Sequence, residues 1–174
     1  VKAIYDGANS FAALKEDGTV EAWGHSTFGG SGVPSGLSGV KTISSHYYAF
    51  AALKDDGTVA AWGQYSSSDG LPGELSGVKA VYSNLAAFAA LMEDGTVAAW
   101  GLSSYGGSGV PEGLSGVKAI YSTFYAFAAL KEDGTVAAWG NSDNGGTVPS
   151  GLSGVKAIYS NKVAFAALKD DGTV

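Results

Sequence analysis

A block of 38 or 39 residues recurs along the whole of this 174-residue chain, which commits it to a series of similar units. Val-Lys opens the block at Val1, Val40, Val78, Val117 and Val155. A Trp-Gly pair follows at Trp23, Trp62, Trp100 and Trp139, and an Asp-Gly pair at Asp17, Asp56, Asp94, Asp133 and Asp171. The repeats run over 1–39, 40–77, 78–116 and 117–154, with an incomplete fifth over 155–174.

Each unit reads as β. Val117-Lys118-Ala119-Ile120-Tyr121 has the β-branched and aromatic content of a strand. Phe127–Lys131 then runs into Glu132-Asp133-Gly134-Thr135, where the glycine supplies the positive φ of a hairpin turn, and Thr135–Trp139 returns. The alanines alone would suit a helix, but an Asp-Gly interrupts each run after about five residues, too few for a stable one. Strict polar–apolar alternation is missing, as expected when both faces of a small sheet are covered. Ala12, Ala13 and their counterparts would let neighbouring sheets approach closely. Glycine, serine and one proline per unit (Pro34, Pro72, Pro111, Pro149) mark the connections. The fold expected is an all-β propeller of three- to four-stranded antiparallel blades.

The pattern Ala-Leu-Lys-Glu-Asp-Gly-Thr-Val-x-Ala-Trp-Gly at 13–24 and 129–140 resembles the regulator of chromosome condensation repeat, with the short period of its bacterial-type members. The resemblance implies a seven-bladed propeller used as a protein-binding scaffold, of which 174 residues would be a fragment. Where the family often places His before the second strand, this chain has Ser10, Ala49, Ala87, Ala126 and Ala164. Its usual Gly-Gln is replaced by Gly29-Gly30, Gly106-Gly107 and Gly145-Gly146.

Composition narrows the function classes. Ten Lys, no Arg and sixteen acids give a net charge of −6, against the clustered cations that nucleic acid requires. A nucleosome or nucleotide-exchange role is therefore not carried over from the family. Without cysteine there is no disulfide framework, thiolate nucleophile or Cys-ligated zinc. No apolar run reaches the length of a membrane helix. Abundant Ser, Thr and Gly with few charges suit an extracellular or cell-surface setting and leave localisation open.

Among candidate site residues, the acidic doublets at 16–17, 55–56, 93–94, 132–133 and 170–171 would ring one rim and make it negative. They lack the spaced oxygens of a calcium loop and read as structural, so no metal is expected. His25 and His46 stand alone in non-equivalent loops, where a solvated histidine is the usual outcome, and no Ser-His-acid order surrounds them. Neither a catalytic residue nor a cofactor is assigned, and a non-enzyme is expected. The four tryptophans keep the repeat period and read as blade-to-blade core.

Variation concentrates in the loops after the first strand and after Trp-Gly. A rigid scaffold with Tyr, Ser, Asn and Gly in its loops has the chemistry of a recognition surface. Its aromatics, Phe28, Tyr47, Tyr48, Tyr65, Tyr105, Phe124 and Tyr125, are the candidate contacts for a protein partner, unless they fill gaps between blades. The expected function is a protein-interaction module. A structural assembly subunit is the alternative, and a glycan-binding propeller the third.

Overall fold

The computed structural model describes residues 1–65, 71, 73 and 75–174. Pro72, Ser66 and Ser67 of the second unit's connection lie outside the described residues. The first unit contributes strands β1 (Ala3–Asp6), β2 (Ser10–Leu14) and β3 (Val20–Gly24). The second has β4 (Val40–His46), β5 (Ala49–Lys54) and β6 (Val59–Gly63). The third has β7 (Val78–Ser83), β8 (Ala87–Met92) and β9 (Val97–Gly101). The fourth has β10 (Val117–Ser122), β11 (Ala126–Lys131) and β12 (Val136–Gly140). The last has β13 (Val155–Ser160) and β14 (Phe165–Lys169). Each unit is its own antiparallel meander, giving four sheets of three strands and one of two among the described residues. No α-helix occurs among those residues. In three units a 3-10 turn follows the third strand: Ser26–Phe28, Ser103–Tyr105 and Ser142–Asn144.

The sheets stack face to face, and the pleat explains why clean alternation is absent. Ala12 and Leu14 point from the first sheet into the same cluster as Val40, Ile43, Phe50, Ala52 and Trp62 of the second. Ala49, Ala51 and Leu53, on the other face of that second sheet, meet Val78, Phe88, Ala90 and Trp100 of the third. The third and fourth units repeat the arrangement with Ala87, Ala89 and Leu91 against Val117, Ile120, Phe127 and Trp139. Both faces of an internal sheet are thus core, and the alanine face of one sheet meets the Phe–Trp pair of the next. Phe50 pairs with Trp62 across the strands, with stacked rings 5.3 Å apart. Phe88–Trp100 and Phe127–Trp139 stack at 5.2 and 5.5 Å. Burying each such side chain contributes roughly 1.5–3 kcal/mol. Trp62, Trp100 and Trp139 are therefore core, as expected, whereas Trp23 on the outer face of the first sheet is 45% exposed.

Meander topology sends the connections to two opposite rims. The Asp-Gly turns form one. In the first, Gly18 donates its N–H to Lys15 O and adopts φ 77°, a left-handed conformation suited to glycine. Asp17 Oδ1 accepts from the Thr19 N–H at 3.0 Å and the Thr19 hydroxyl at 2.7 Å. The pairs Asp56–Thr58, Asp94–Thr96, Asp133–Thr135 and Asp171–Thr173 repeat this. The turn also staples units together, because the Val40 N–H donates to Gly18 O at 3.0 Å, with matching bonds at Val78, Val117 and Val155.

This rim is mixed in charge rather than negative. Lys41, Lys79, Lys118 and Lys156 sit exposed at register shifts where each first strand begins, at the same end as the acidic doublets. Lys15, Lys54, Lys131 and Lys169 pair with Glu21, Asp56, Asp133 and Asp171 at 2.6, 2.9, 3.3 and 3.8 Å. The sequence pattern showed the acids clearly. That the lysines share their end follows only from the strand directions.

Candidate functional site: the aromatic rim

The opposite rim carries the loops between first and second strands and the segments after Trp-Gly. One position per loop shapes it. Asn84 Oδ1 accepts the N–H groups of Ala86 and Ala87 at 3.1 and 2.9 Å, while its Nδ2 donates to Tyr105 O at 2.6 Å. Thr123 Oγ1 accepts from Tyr125 and Ala126 at 3.2 and 3.0 Å and donates to Asn144 O at 2.9 Å. Asn161 caps its own loop through Val163 and Ala164. The first unit has Gly7 here, and the Ser10 hydroxyl takes over the bond to Phe28 O at 2.5 Å. A side-chain acceptor two residues ahead of a backbone N–H is the usual chemistry of Asn and Thr in turns.

His46 occupies this position in the second unit, which corrects the expectation of a solvated histidine. It is 4% exposed, its Nδ1 accepts the Tyr48 N–H at 3.1 Å, and its ring lies 4.3 Å from that of Phe88. Burial pushes its pKa down to about 3, so the ring is neutral at pH 7, and the accepting Nδ1 places the proton on Nε2. That Nε2 has no hydrogen-bond partner among the described residues. His25, by contrast, is exposed and stacks on Phe28 at 4.5 Å.

One step further along each loop, the main chain links unit to unit. Ala8 N–H donates to Tyr47 O at 3.4 Å, Tyr47 N–H to Leu85 O at 3.3 Å, Leu85 N–H to Phe124 O at 3.3 Å, and Phe124 N–H to Lys162 O at 2.9 Å. Serines run a parallel ladder beneath: Ser45 to Asp6 O, Ser83 to Ser45 O and Ser122 to Ser83 O, at 2.8, 2.7 and 3.0 Å. Backbone and serine hydroxyls thus fix the loops, leaving the side chains of 47, 85 and 124 to form one row along the rim.

The seven candidate aromatics all lie on this rim, in two clusters. Tyr48 meets Phe28, Tyr47 and Tyr65 at 5.4, 5.1 and 5.6 Å. Tyr125 meets Tyr105 and Phe124 at 5.3 and 6.3 Å. Tyr47 and Phe124 are the exposed members, 47% and 40%, and the other five are half-buried. Tyr65 stands apart in backbone, with φ 60°. Leu85, which sequence reasoning passed over, lies between Tyr47 and Phe124 in the ladder. Its repeat position was the available signal. Lys162 extends the row, its Nζ 5.8 Å from the Phe124 ring centre.

The turn aspartates are held below the usual carboxylate range, chiefly by the Thr hydroxyl each accepts. Such acids are poor proton donors near neutral pH. No group of three or more His, Asp or Glu side chains that could hold a metal occurs among the described residues.

Solved structures of similar shape include RCC1 and WD40 propellers. Over 98% of this chain and 55% of the other, Saccharomyces cerevisiae Prp20p, studied for its binding to Gsp1p and histones, superposes with a TM-score of 0.63 at 19% identity. The fold here is thus an RCC1-like repeat propeller. Human WBSCR16 matches over 95% of this chain and 58% of its own, with a TM-score of 0.62 and 18% identity. The ectodomain of the Physcomitrella patens receptor kinase CR4 matches over 91% and 44%, with a TM-score of 0.60 and 19% identity. The chain spans about half the length of these structures. No protein-family model and no curated protein matches it in sequence.

Proposed function

We propose that this chain is a non-enzymatic interaction module that binds another protein through the rim carrying Phe28, Tyr47, Tyr48, Tyr65, Tyr105, Phe124 and Tyr125. The observation that carries the proposal is the row Tyr47–Leu85–Phe124, where the main chain supplies the unit-to-unit bonds and the Tyr47 and Phe124 side chains are exposed. Aromatic side chains on a rigid, charge-poor surface are the usual anchors of protein interfaces. Similar propellers support the reading: Prp20p was studied for its binding to Gsp1p and histones, and yeast RCC1 was crystallised with Kap60. The basic surface that nucleic acid would need is absent from the composition, so the partner proposed is protein alone. Within the RCC1-like repeats, the 38–39-residue period supports a kinship with bacterial-type members similar to beta-lactamase inhibitory protein II.

The test compares partner capture by the intact chain, by Tyr47→Ser/Leu85→Ser/Phe124→Ser, and by Lys54→Ser/Lys131→Ser on the other rim. A partner held by the first and third but lost from the second bears the proposal out. Retention by the second, with its melting temperature unchanged, sinks it. A structural subunit is the second reading, favoured by Phe11 and Trp23, stacked and exposed on the outer face of the first sheet. It predicts self-association that Trp23→Ser abolishes and rim variants leave intact.

A further inference from the structure

Asn144 and Gly145 form the one Asn-Gly pair of the sequence. In such a pair the glycine nitrogen can attack the asparagine side-chain carbonyl, because the glycine has no Cβ to obstruct the approach. The pair closes the 3-10 turn Ser142–Asn144 on the aromatic rim, with Gly145 at φ 100°. The fold also leaves the attacking nitrogen unused. In the Asp-Gly pairs at 6–7, 17–18, 56–57, 94–95, 133–134 and 171–172, the glycine N–H donates to a main-chain carbonyl at 2.8–3.1 Å. The matching glycines of the other 3-10 turns, Gly29 and Gly106, donate to Ser26 O and Ser103 O at 3.3 and 3.0 Å. Gly145 N–H makes no hydrogen bond among the described residues.

We infer that Asn144 is a site of spontaneous covalent modification, in which the Gly145 nitrogen displaces the side-chain amide. Gly145 N loses its proton and bonds to Asn144 Cγ, the Cγ–Nδ2 bond breaks, and ammonia departs from a five-membered imide. Water then opens the imide at one carbonyl to give aspartate or at the other to give isoaspartate. One water is consumed and one ammonia released. The Asn144 Nδ2 donates to Asn141 Oδ1 at 2.9 Å, a bond that the departing ammonia breaks. The hairpin aspartates are protected twice, since each is also held ionised by a Thr hydroxyl and a carboxylate anion resists attack by nitrogen. The product alters this rim because Asn144 O accepts the Thr123 hydroxyl at 2.9 Å. In isoaspartate the main chain runs through Cγ, and that carbonyl becomes a free carboxylate beside the loop of Phe124 and Tyr125. This chemistry stands whether or not the rim binds a protein.

The test incubates the folded 174-residue chain in mildly alkaline buffer beside the peptide Ser-Asp-Asn-Gly-Gly, the sequence of residues 142–146. Products are mapped by peptide mass and by isoaspartyl methyltransferase labelling. Aspartate and isoaspartate at position 144 are expected, within tenfold of the peptide's rate and faster as pH rises, because the nitrogen must lose its proton. Asn9, Asn84, Asn141 and Asn161, followed by Ser, Leu, Ser and Lys, should stay intact over the same period. Asn144→Gln must close a larger ring and keeps the main-chain acceptor of Thr123, so it should lose the labelling while melting as the parent does. The isoaspartate fraction should melt below Asn144→Asp, which carries its charge on an unaltered main chain. An intact Asn144 after the peptide has reacted overturns the inference, since the fold would then protect it. Labelling that persists in Asn144→Gln, or equal labelling at the Asp-Gly turns, overturns it too. An isoaspartate fraction that melts with Asn144→Asp overturns the structural consequence.

Discussion

The two rims solve the same problem with opposite chemistry. At the turn rim, one solution is copied: in all five units an Asp accepts from the Thr two residues on, and in the first four Gly hands its carbonyl to the next unit. At the aromatic rim, the loop-shaping position is filled by Gly7, His46, Asn84, Thr123 and Asn161, five units with four residue types. Uniformity is possible where the groups are exposed and local. The other rim must also pack its loops on the segment after Trp-Gly, and each unit fills that space differently. At the turn rim identity goes with side-chain bonds closed within the turn, and at the aromatic rim divergence goes with side chains that pack on a neighbouring segment.

The largest effect near neutral pH should come from the glycine that ends each third strand. A Cβ at Gly101, where φ is 107°, would lie 2.7 Å from Ala86 O. Gly101→Ala should cost about 3 kcal/mol in denaturant unfolding, against about 1 kcal/mol for Gly36→Ala, which also has a positive φ but open space around it. An equal cost for both would show that conformation alone matters and that packing at the aromatic rim does not.

Acid should separate the rims. His46 stays neutral in the fold down to about pH 3 but takes a proton near pH 6.5 when unfolded. Stability is full above pH 6.5 and falls by up to about 1.4 kcal/mol per unit as pH drops from there toward 3. His46→Asn, matching Asn84 and Asn161, should keep the fold and erase that slope in denaturant unfolding followed against pH. The turn aspartates, lowered from 3.8, contribute stability that is lost only as pH falls toward and below that value, so the variant should retain their acid limb. A slope unchanged in His46→Asn would place the acid sensitivity elsewhere.

Thr123→Val removes an acceptor for two N–H groups and a donor to Asn144 O in a buried loop, and should cost about 2 kcal/mol. Thr135→Val, at the exposed turn, should cost clearly less by the same denaturant measurement. The smallest effect belongs to the ion pairs. Lys54→Met should leave the melting temperature unresolved from that of the parent, because exposed pairs gain little over solvation.

Much of this was legible in the residues. The repeat, the Asp-Gly hairpins and the tryptophan core follow from spacing and propensity, and β12 returns as Val136–Gly140, as its sequence suggested. Among the described residues each sheet has at most three strands, and in three units a 3-10 turn such as Ser103–Tyr105 follows the third. The candidate site was half legible. Aromatic loop residues stood out, but their division into exposed Tyr47 and Phe124 and half-buried Phe28, Tyr48 and Tyr105 depends on the neighbouring unit. His46 was misjudged because a loop position says nothing of the Phe88 ring that packs on it from the next sheet. Leu85 was missed because a single aliphatic residue carries no motif.

The chain of main-chain bonds through Ala8, Tyr47, Leu85, Phe124 and Lys162 has a consequence for how this surface can change. Every residue type except proline owns the N–H and C=O that form it. The lettering at these positions can therefore be rewritten one unit at a time, with the frame that displays it left standing. The side chains displayed there can change by small independent edits, each made against an unchanged geometry.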